Sequence, residues 1–208
     1  MKRLLLNTAT LLLCAGIAAC SSVKQPDDAK SVARAEQKAS TKAWLDAQEP
    51  RLRDALRGSH FEVSRRDDLL VVTVPVDASF NPDRPSMLLP VTLGPVTKVA
   101  KLVEKDGKTS VLLLGHGDNS GTAAASRKLS EERARSVAAI FRLSGLGGDR
   151  LMYKGMGSDL PRVGNDSKDG RARNRRVEML LTPRGTLPSV LAQYTTAGKK
   201  LVVADQVK

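Results

Sequence analysis

Apolar residues alternate with polar ones in the middle of the chain, which is the pattern of half-buried β-strands. Phe61 and Val63 alternate, a charged turn follows at residues 65–68, and the run LLVVTVPV begins at Leu69. This pattern predicts two strands joined by a short turn. The stretch SVLLLGH at residues 110–116 is nearly continuously apolar, as expected of a strand that is buried on both faces.

Two further segments carry apolar residues at helical spacing. The first stripe is formed by Val96, Val99, Ala100 and Val103, at i, i+3, i+4 and i+7. Pro95 is expected in the first turn of this helix, where a missing N–H costs little. The second helix is predicted to end at Gly145, and its stripe is formed by Ala134, Val137, Ala138 and Phe141.

The last strands complete the order of elements. Residues 150–154 are read as a short strand, and the segment NRRVEMLLTP points Val177, Met179 and Leu181 inward. A hairpin followed by helix, strand, helix and strand predicts an α+β fold of the split βαβ kind, with a mixed sheet and helices on one side. We assign this domain to residues 59–184 and expect residues 185–208 to form a C-terminal tail.

The first nineteen residues have the layout of a secretory signal peptide. Lys2 and Arg3 precede an apolar run that ends near Ile17, and this run is too short and wrongly flanked for a membrane span. Small residues then lead to Cys20, and the sequence Ile-Ala-Ala-Cys resembles a bacterial lipobox. Such a cysteine becomes the first mature residue and carries diacylglycerol and an N-acyl chain such as palmitate. The alternative is an ordinary Ala-x-Ala cleavage that leaves a free thiol.

Cysteine usage favours the lipoprotein interpretation. Cys14 lies in the segment to be removed, so Cys20 would be the only thiol of the mature chain and no internal disulfide could form. A triacylated cysteine supplies the several chains that durable anchoring needs. Ser21 follows it, which resembles the default outer-membrane address of Gram-negative lipoproteins facing the periplasm. Residues 20–58 are interpreted as a lipidated tether with a marginal helix interrupted at Pro50.

The chain is strongly basic. Removal of residues 1–19 leaves 189 residues and lowers the formal net charge from +12 to +10. Such a charge indicates an anionic neighbour. Nucleic acid is a poor candidate, because the chain is predicted to be exported and only 3% of its residues are aromatic, too few for a base-stacking platform. Lipid headgroups, lipopolysaccharide and the cell-wall polymer remain.

Four motifs occur in one order along the chain. They are GHGDNSG at 115–121, LSEERARSV at 129–137, GMGSDLP at 155–161 and NDSKDGRARNRRVE at 165–178. Their order and spacing resemble the OmpA-like peptidoglycan-binding domain over residues 69–182, and four co-ordered motifs are far more specific than one. The resemblance implies a lipid-anchored protein that binds peptidoglycan without covalent chemistry and so tethers the outer membrane to the wall.

The resemblance also implies site residues. In that family an acid after the buried strand and an arginine on the following helix grip meso-diaminopimelate of the stem peptide, and the matching positions are Asp118 and Arg133. The first arginine of the NRRVE run, Arg175, matches a third site residue. Gly117 replaces the usual threonine before the acid, and Ser126 replaces a frequent asparagine. These two departures could reshape the pocket but leave the charged residues in place.

The implied chemistry is consistent with the residue types. The free end of diaminopimelate carries an ammonium and a carboxylate on one carbon, so Asp118 and Arg133 would supply an anion and a two-pronged cation. Glycines at 115, 117 and 121 would let backbone N–H groups approach the ligand. The alternatives are that Asp118 merely caps the loop, and that Arg133 pairs with a glutamate beside it or with a neighbour one turn away.

The basic run after residue 170 is expected to divide its roles. We expect Arg175 to point to the pocket, Arg176 to pair locally, and Arg171 and Arg173 to contact the anionic wall polymer. Asn174 is expected to fix the turn and not to contact ligand.

An enzyme is the less favoured interpretation. His116 beside Asp118 invites a metal-dependent hydrolase, but the only other histidine is His60 and no catalytic triad is evident. We therefore expect a binding protein with no cofactor or metal. Two alternatives stay open, namely an envelope signalling or machine component that binds an envelope protein partner and uses the wall for localisation, and a cell-wall hydrolase.

Overall fold

The computed structural model describes the backbone of residues 26–206 and the side chains of residues 30–197. The predicted signal peptide and Cys20 lie outside the described residues. The elements in chain order are α1 (Pro26–Ala55), β1 (Glu62–Arg66), β2 (Leu69–Pro75), α2 (Pro90–Asp106), β3 (Thr109–His116), α3 (Ala123–Leu143), β4 (Leu151–Gly155), α4 (Lys168–Asn174), β5 (Arg176–Pro183) and α5 (Leu187–Gln206).

The chain divides into two units between residues 37 and 38. The described part of the first unit is the amino-terminal portion of α1, whose side chains from residue 30 are exposed. The second unit contains the sheet and all the other elements.

The five strands form one mixed sheet in the order β1-β2-β5-β3-β4. Strand β5 is antiparallel to both β2 and β3, and β3 is parallel to β4. Strands β2, β3 and β4 therefore run in one direction and end at the edge where β5 begins. The predicted α+β fold with a mixed sheet is confirmed.

Strand β3 is buried along its whole length, as its apolar run predicted. Val111 and Leu113 belong to the core beneath α1, α2 and α3, whereas Leu112 and Leu114 belong to a second core beneath α5. The sheet therefore carries helices on one face, as predicted, and a further helix on the other. This arrangement explains why the strand tolerates no polar alternation.

Helix α5 occupies a segment that the sequence analysis treated as a tail, which is a correction. Its side chains that pack against the second core are Leu187, Val190, Leu191 and Tyr194. These positions are spaced i, i+3, i+4 and i+7, so a helical stripe was present in the sequence. The stripe is short, because residues 195–200, TTAGKK, supply no large apolar side chain after Tyr194.

Helix α1 is continuous through Pro50, so the predicted interruption is wrong. From Lys38 onwards its buried side chains recur every three or four residues, as on one face of a helix: Thr41, Leu45, Gln48 and Leu52. Leu56, just beyond the end of the helix, continues this face. Trp44 Nε1 also donates to Thr109 Oγ1 over 3.0 Å. Pro50 lies on the exposed side, where water can satisfy the carbonyl that loses its N–H partner. Tertiary burial thus outweighs the local helix breaker.

Helix α2 begins at Pro90, so Pro95 lies inside it and not in its first turn. The carbonyl that would have paired with residue 95 belongs to Val91, which is 62% exposed and open to water. The helix ends at Gly107, whose φ of 67° is the left-handed conformation that glycine adopts most easily.

Helix α3 approaches the sheet at backbone distance because two glycines face it. A Cβ at Gly115 would lie 1.8 Å from the Ser130 carbonyl oxygen, and a Cβ at Gly155 would lie 2.4 Å from that of Arg127. The two glycines are paired in the β3–β4 register. Gly115 therefore allows the helix to approach the sheet, which is a packing role that the sequence analysis did not assign to it.

The face of the sheet toward α5 also contains a buried ionic cluster. Glu178 is fully buried and accepts two hydrogen bonds from Arg66, at 2.8 and 3.0 Å, and one from Arg176 at 2.8 Å. Arg66 also donates to the Tyr194 hydroxyl of α5 over 3.1 Å. Burial works against the charge of Glu178, but Arg66 and the other surrounding groups outweigh it and lower its pKa to about 2.

His116, the last residue of β3, lies beside this cluster. It is 1% exposed, neither ring nitrogen has a hydrogen-bond partner, and its Nε2 is 3.9 Å from Glu178 Oε2. Burial, and then the charge of Arg176, lower the pKa of His116 to about 3. The ring is therefore neutral at physiological pH, and His116 is a packed residue at the end of a strand.

Gly115→Ala should destabilise the protein, because the new methyl group meets backbone atoms that cannot rotate away. Overpacking of this kind costs about 1–3 kcal/mol, and the short distance places this case at the upper end. Denaturant unfolding measures the loss. Gly94→Ala is the matched control, since nothing lies within 4 Å of its Cβ in α2. Equal stability of the two variants would contradict the close-approach argument.

The stability of the protein should depend on pH through His116. Between about pH 6.5 and 4.5 an unfolded histidine binds a proton that folded His116 does not, so the free energy of unfolding should fall as the pH falls. His116→Met should remove roughly 2–3 kcal/mol of that loss, at about 1.4 kcal/mol per pH unit. Denaturant titrations of both proteins across this window test the effect. If the free energy of unfolding changed equally with pH in both proteins, folded His116 would bind its proton as the unfolded residue does, which would contradict the prediction.

Candidate functional site

Three strands bring charged residues to one edge of the sheet. Asp77 lies two residues after the end of β2, and Asp118 lies two residues after the end of β3. Arg175 lies immediately before β5. Because β2 and β3 run parallel on either side of β5, these three residues meet at the same edge.

Arg175 contacts both carboxylates. Its Nε and Nη2 donate to Asp77 Oδ1 and Oδ2 over 2.9 and 2.6 Å, and its Nη1 donates to Asp118 Oδ2 over 2.5 Å. The two-pronged contact with Asp77 is the strong geometry for a guanidinium. Asp77 was missed in the sequence, although it stands in the same position relative to β2 as Asp118 does to β3.

Asp118 is held within its loop. Its Oδ1 accepts a hydrogen bond from the Ser120 N–H over 3.0 Å, and its side chain is 12% exposed. Thr122, not Asp118, caps helix α3 by accepting from the Ala125 N–H. Burial opposes the charge of Asp118, but the Ser120 N–H and Arg175 outweigh it and lower its pKa. Asp118 is therefore an ionised carboxylate at neutral pH.

Arg133 reaches the site from α3 but contacts neither carboxylate. Its Nε donates to the Pro85 carbonyl over 2.7 Å, and its guanidinium lies 5.8 Å from the centre of the Phe80 ring. Within the described residues its two terminal nitrogens make no hydrogen bond or ion pair, so the expected alternative of a glutamate partner is not observed. The residue is only 7% exposed. A largely buried side chain thus presents four terminal N–H groups that reach solvent and have no protein partner among the described residues.

The surrounding charges act on Arg133 without touching it. Burial and then the Arg175 cation lower the pKa of Arg133, while Asp77 and Asp118 oppose this shift. An arginine nevertheless stays charged at neutral pH. Since Arg175 already binds both carboxylates, Arg133 is the cation of this site that has no anionic hydrogen-bond partner among the described residues.

The loop before α2 fixes the orientation of Arg133. Asn81 Oδ1 accepts from the backbone N–H groups of Asp83 and Arg84, at 2.8 and 3.0 Å. Ser136 Oγ on α3 donates to the Ser86 carbonyl over 2.7 Å. These bonds hold in place the Pro85 carbonyl, which is the acceptor for Arg133 Nε.

The two departures from the family pattern are neighbours in space. A Cβ on Gly117 would lie 2.4 Å from Ser126 Oγ, and this hydroxyl is buried without a hydrogen-bond partner. The Gly117 N–H donates to the Gly157 carbonyl over 2.8 Å. The sequence analysis expected this N–H to face a ligand, but it is already bonded. Gly121 has nothing within 4 Å of a Cβ.

Two residues of the basic run, Arg176 and Asn174, are arranged as expected. Arg176 pairs with Glu178, and buried Asn174 accepts from the N–H groups of residues 162 and 163 and so fixes the turn. Arg171 donates to the Asn165 carbonyl. Arg173 is exposed and lines a cavity of about 230 Å³ that also borders Asp77 and Arg175.

The described residues, which exclude 1–25 and 207–208, contain neither a candidate metal site nor a helix that could span a membrane. No group of three or more His, Cys, Asp or Glu side chains there is placed to hold a metal ion. None of the helices in that part of the chain is both long and apolar enough to cross a membrane.

Comparison with known proteins places this site in a family. The model of the OmpA family matches residues 82–175. The chain is 33% identical over 140 residues to the probable lipoprotein YiaD of Escherichia coli (strain K12), which covers 67% of this chain and 64% of that protein. It is also 33% identical over 94 residues to the peptidoglycan-binding protein ArfA of Mycobacterium tuberculosis (strain ATCC 25618 / H37Rv), covering 45% of this chain and 29% of that protein.

A solved structure shares the fold. The cell wall anchor of the T6SS from Pseudomonas aeruginosa superimposes with a TM-score of 0.56 at 30% sequence identity, covering 65% of this chain and 99% of that one. The chain spans less than two thirds of the length of the two sequence relatives. The motifs and these matches agree, and the chain contains an OmpA-like domain, which the family model matches at residues 82–175.

Proposed function

We propose that this chain binds peptidoglycan non-covalently through the diaminopimelate of its stem peptide and tethers the outer membrane to the wall. The observation that carries the proposal is Arg133, a largely buried side chain whose terminal N–H groups reach solvent without a protein partner among the described residues. It lies within the electrostatic influence of two carboxylates that Arg175 holds. A cation and anions arranged in this way suit a small zwitterion.

Each end of the zwitterion has a partner. The carboxylate at the free end of diaminopimelate binds the terminal nitrogens of Arg133 in a two-pronged contact. The ammonium lies against Asp118, with Asp77 contributing negative charge. Arg175 is the positioning residue, because it holds both carboxylates before the ligand arrives. Such preorganisation lowers the entropy that binding must overcome.

Two of the relatives support a wall ligand through their names. One is called a peptidoglycan-binding protein, and the other is described as a cell wall anchor. The second of these also supports a related role, in which wall binding localises the chain within an envelope machine. In either role the domain is a binding module and not an enzyme.

The proposal includes a lipid anchor at Cys20 and a position in the outer membrane facing the periplasm. It rests on the lipobox-like sequence at residues 17–20 and on the name of a relative, the probable lipoprotein YiaD. The remainder of the mature chain would then reach from the membrane to the wall.

Arg133→Met and Asp118→Asn should each weaken binding of a diaminopimelate-containing muropeptide by at least tenfold, because each removes one charged contact. Methionine keeps the contact area on Phe80, and asparagine keeps an acceptor for the Ser120 N–H. These replacements suit the site better than alanine, since both side chains are largely buried and a smaller one would leave a cavity. Isothermal titration and co-sedimentation with purified sacculi measure the effect, and thermal unfolding confirms that each variant is folded.

Arg135→Met is the matched control, because Arg135 is exposed on the same helix and contributes to the same net charge. It should bind like the wild type. Muropeptides with lysine in place of diaminopimelate should compete poorly, since lysine lacks the second carboxylate. Binding should also persist at moderately raised salt, which screens exposed charges over about 8 Å but acts less on buried pairs. Equal competition by both peptides, with loss of binding at modest salt, would contradict the proposed site.

Cys20→Ser should prevent lipid attachment, so the protein should remain unprocessed or appear in the soluble periplasmic fraction. Metabolic labelling with a palmitate analogue and membrane fractionation measure this directly. The purified variant should still bind sacculi, because none of the proposed site residues is changed. Normal maturation and outer-membrane fractionation of the variant would disprove the anchor.

A further inference from the structure

A second candidate binding surface lies between the carboxyl-terminal part of α1 and the exposed side of α2. Two cavities of about 650 and 180 Å³ adjoin there and share Ala55 and Lys98. We name the pair the α1–α2 groove. Its apolar lining comes from Ala55, Val91, Pro95 and Leu102. None of the proposed site residues, Asp77, Asp118, Arg133 or Arg175, belongs to it.

Unpaired cations flank this groove. Lys98, Lys101 and Lys105 are spaced three and four residues apart on α2, and Arg51 faces them from α1. All four side chains are exposed, and none of them makes an ion pair or hydrogen bond within residues 30–197. Four like charges at one concave surface repel one another, so an anionic occupant would be stabilised there.

The acidic residues of the groove are already engaged. Asp54 pairs with Arg57 over 2.8 Å. Asp106 accepts hydrogen bonds from Gln48 at 3.0 Å and from Thr109 at 2.5 Å. Gln48 and Thr109 are neutral, so Asp106 keeps its charge, but Asp54 and Asp106 are two acids among five lining cations: Arg51, Arg57, Lys98, Lys101 and Lys105. The groove therefore keeps a net positive charge. On another side of α1 the charges are balanced, because Arg65 forms ion pairs with both Asp46 and Glu49.

The shape and lining decide between anionic partners. A lipid bilayer is flat and meets convex protein surfaces, whereas this surface is concave. A free phosphate would leave the apolar lining uncovered. An acidic amphipathic peptide satisfies both requirements, because its apolar side chains cover the lining and its carboxylates reach the lysines. We infer that the α1–α2 groove binds an acidic amphipathic segment of a partner protein, at the same time as the other surface binds the wall.

The test uses the mature chain carrying Cys20→Ser and three probes. The first is a 14-residue peptide with glutamates on one helical face and leucines on the other. The second is a scrambled peptide of the same composition, and the third is a vesicle of phosphatidylglycerol. Fluorescence anisotropy measures affinity, and amide chemical shifts locate the contact. The Lys98→Glu/Lys101→Glu variant is compared with Arg135→Glu/Lys168→Glu, which changes the net charge equally at exposed positions outside the groove.

The amphipathic peptide should shift amide signals of residues 51–55 and 98–105, and the groove variant should weaken it at least tenfold while the control variant binds normally. The scrambled peptide should bind at least tenfold more weakly than the amphipathic one. Equal weakening by both variants, stronger binding of the vesicle at the same residues, or no binding up to about 1 mM, which corresponds to roughly −4 kcal/mol, would overturn the inference. Sacculus binding by the groove variant should stay at the wild-type level, which separates this surface from the proposed wall site.

Discussion

The contact of Arg175 with Asp77 and Asp118 is the interaction on which the proposed site depends. One guanidinium joins the ends of β2 and β3 to the start of β5. Because both carboxylates are bound by this arginine, neither neutralises Arg133 directly. The free charge of Arg133 is thus a consequence of a pairing between its neighbours. Removal of Arg175 would leave two acids close together and would allow one of them to turn toward Arg133.

A second constraint sets the distance across the site. The glycine contacts hold α3 against β3 and β4 at backbone separation, and the loop around Pro85 fixes the Arg133 side chain from the other direction. The acids directly follow the ends of two strands and are bound by Arg175, and the cation lies on a helix. The spacing between the charges therefore follows from rigid elements. A zwitterion of fixed size requires such a spacing.

The sequence predicted much of this arrangement. Periodicity located β2, β3, β5 and the helices α2 and α3, and the resemblance of the motifs pointed to Asp118, Arg133 and Arg175 as residues of one ligand pocket. Asp77 was not found, because a lone acid after a strand has no local signature until the strand order is known. The continuous α1 was missed since the burial that outweighs Pro50 comes from residues distant in sequence. The Asp118–Arg175 contact spans 57 positions and likewise has no local signal.

The position of β5 has a consequence for folding. This strand is the last to be made, yet it lies between β2 and β3, which do not pair with each other. Until it inserts, the β1–β2 hairpin and the β3–α3–β4 unit each expose an unpaired edge, and β3 also exposes its apolar residues. Joining them requires contacts distant in sequence, which form slowly. A chain that emerges amino-terminus first must therefore remain incomplete until β5 arrives, and β5 arrives together with Arg175.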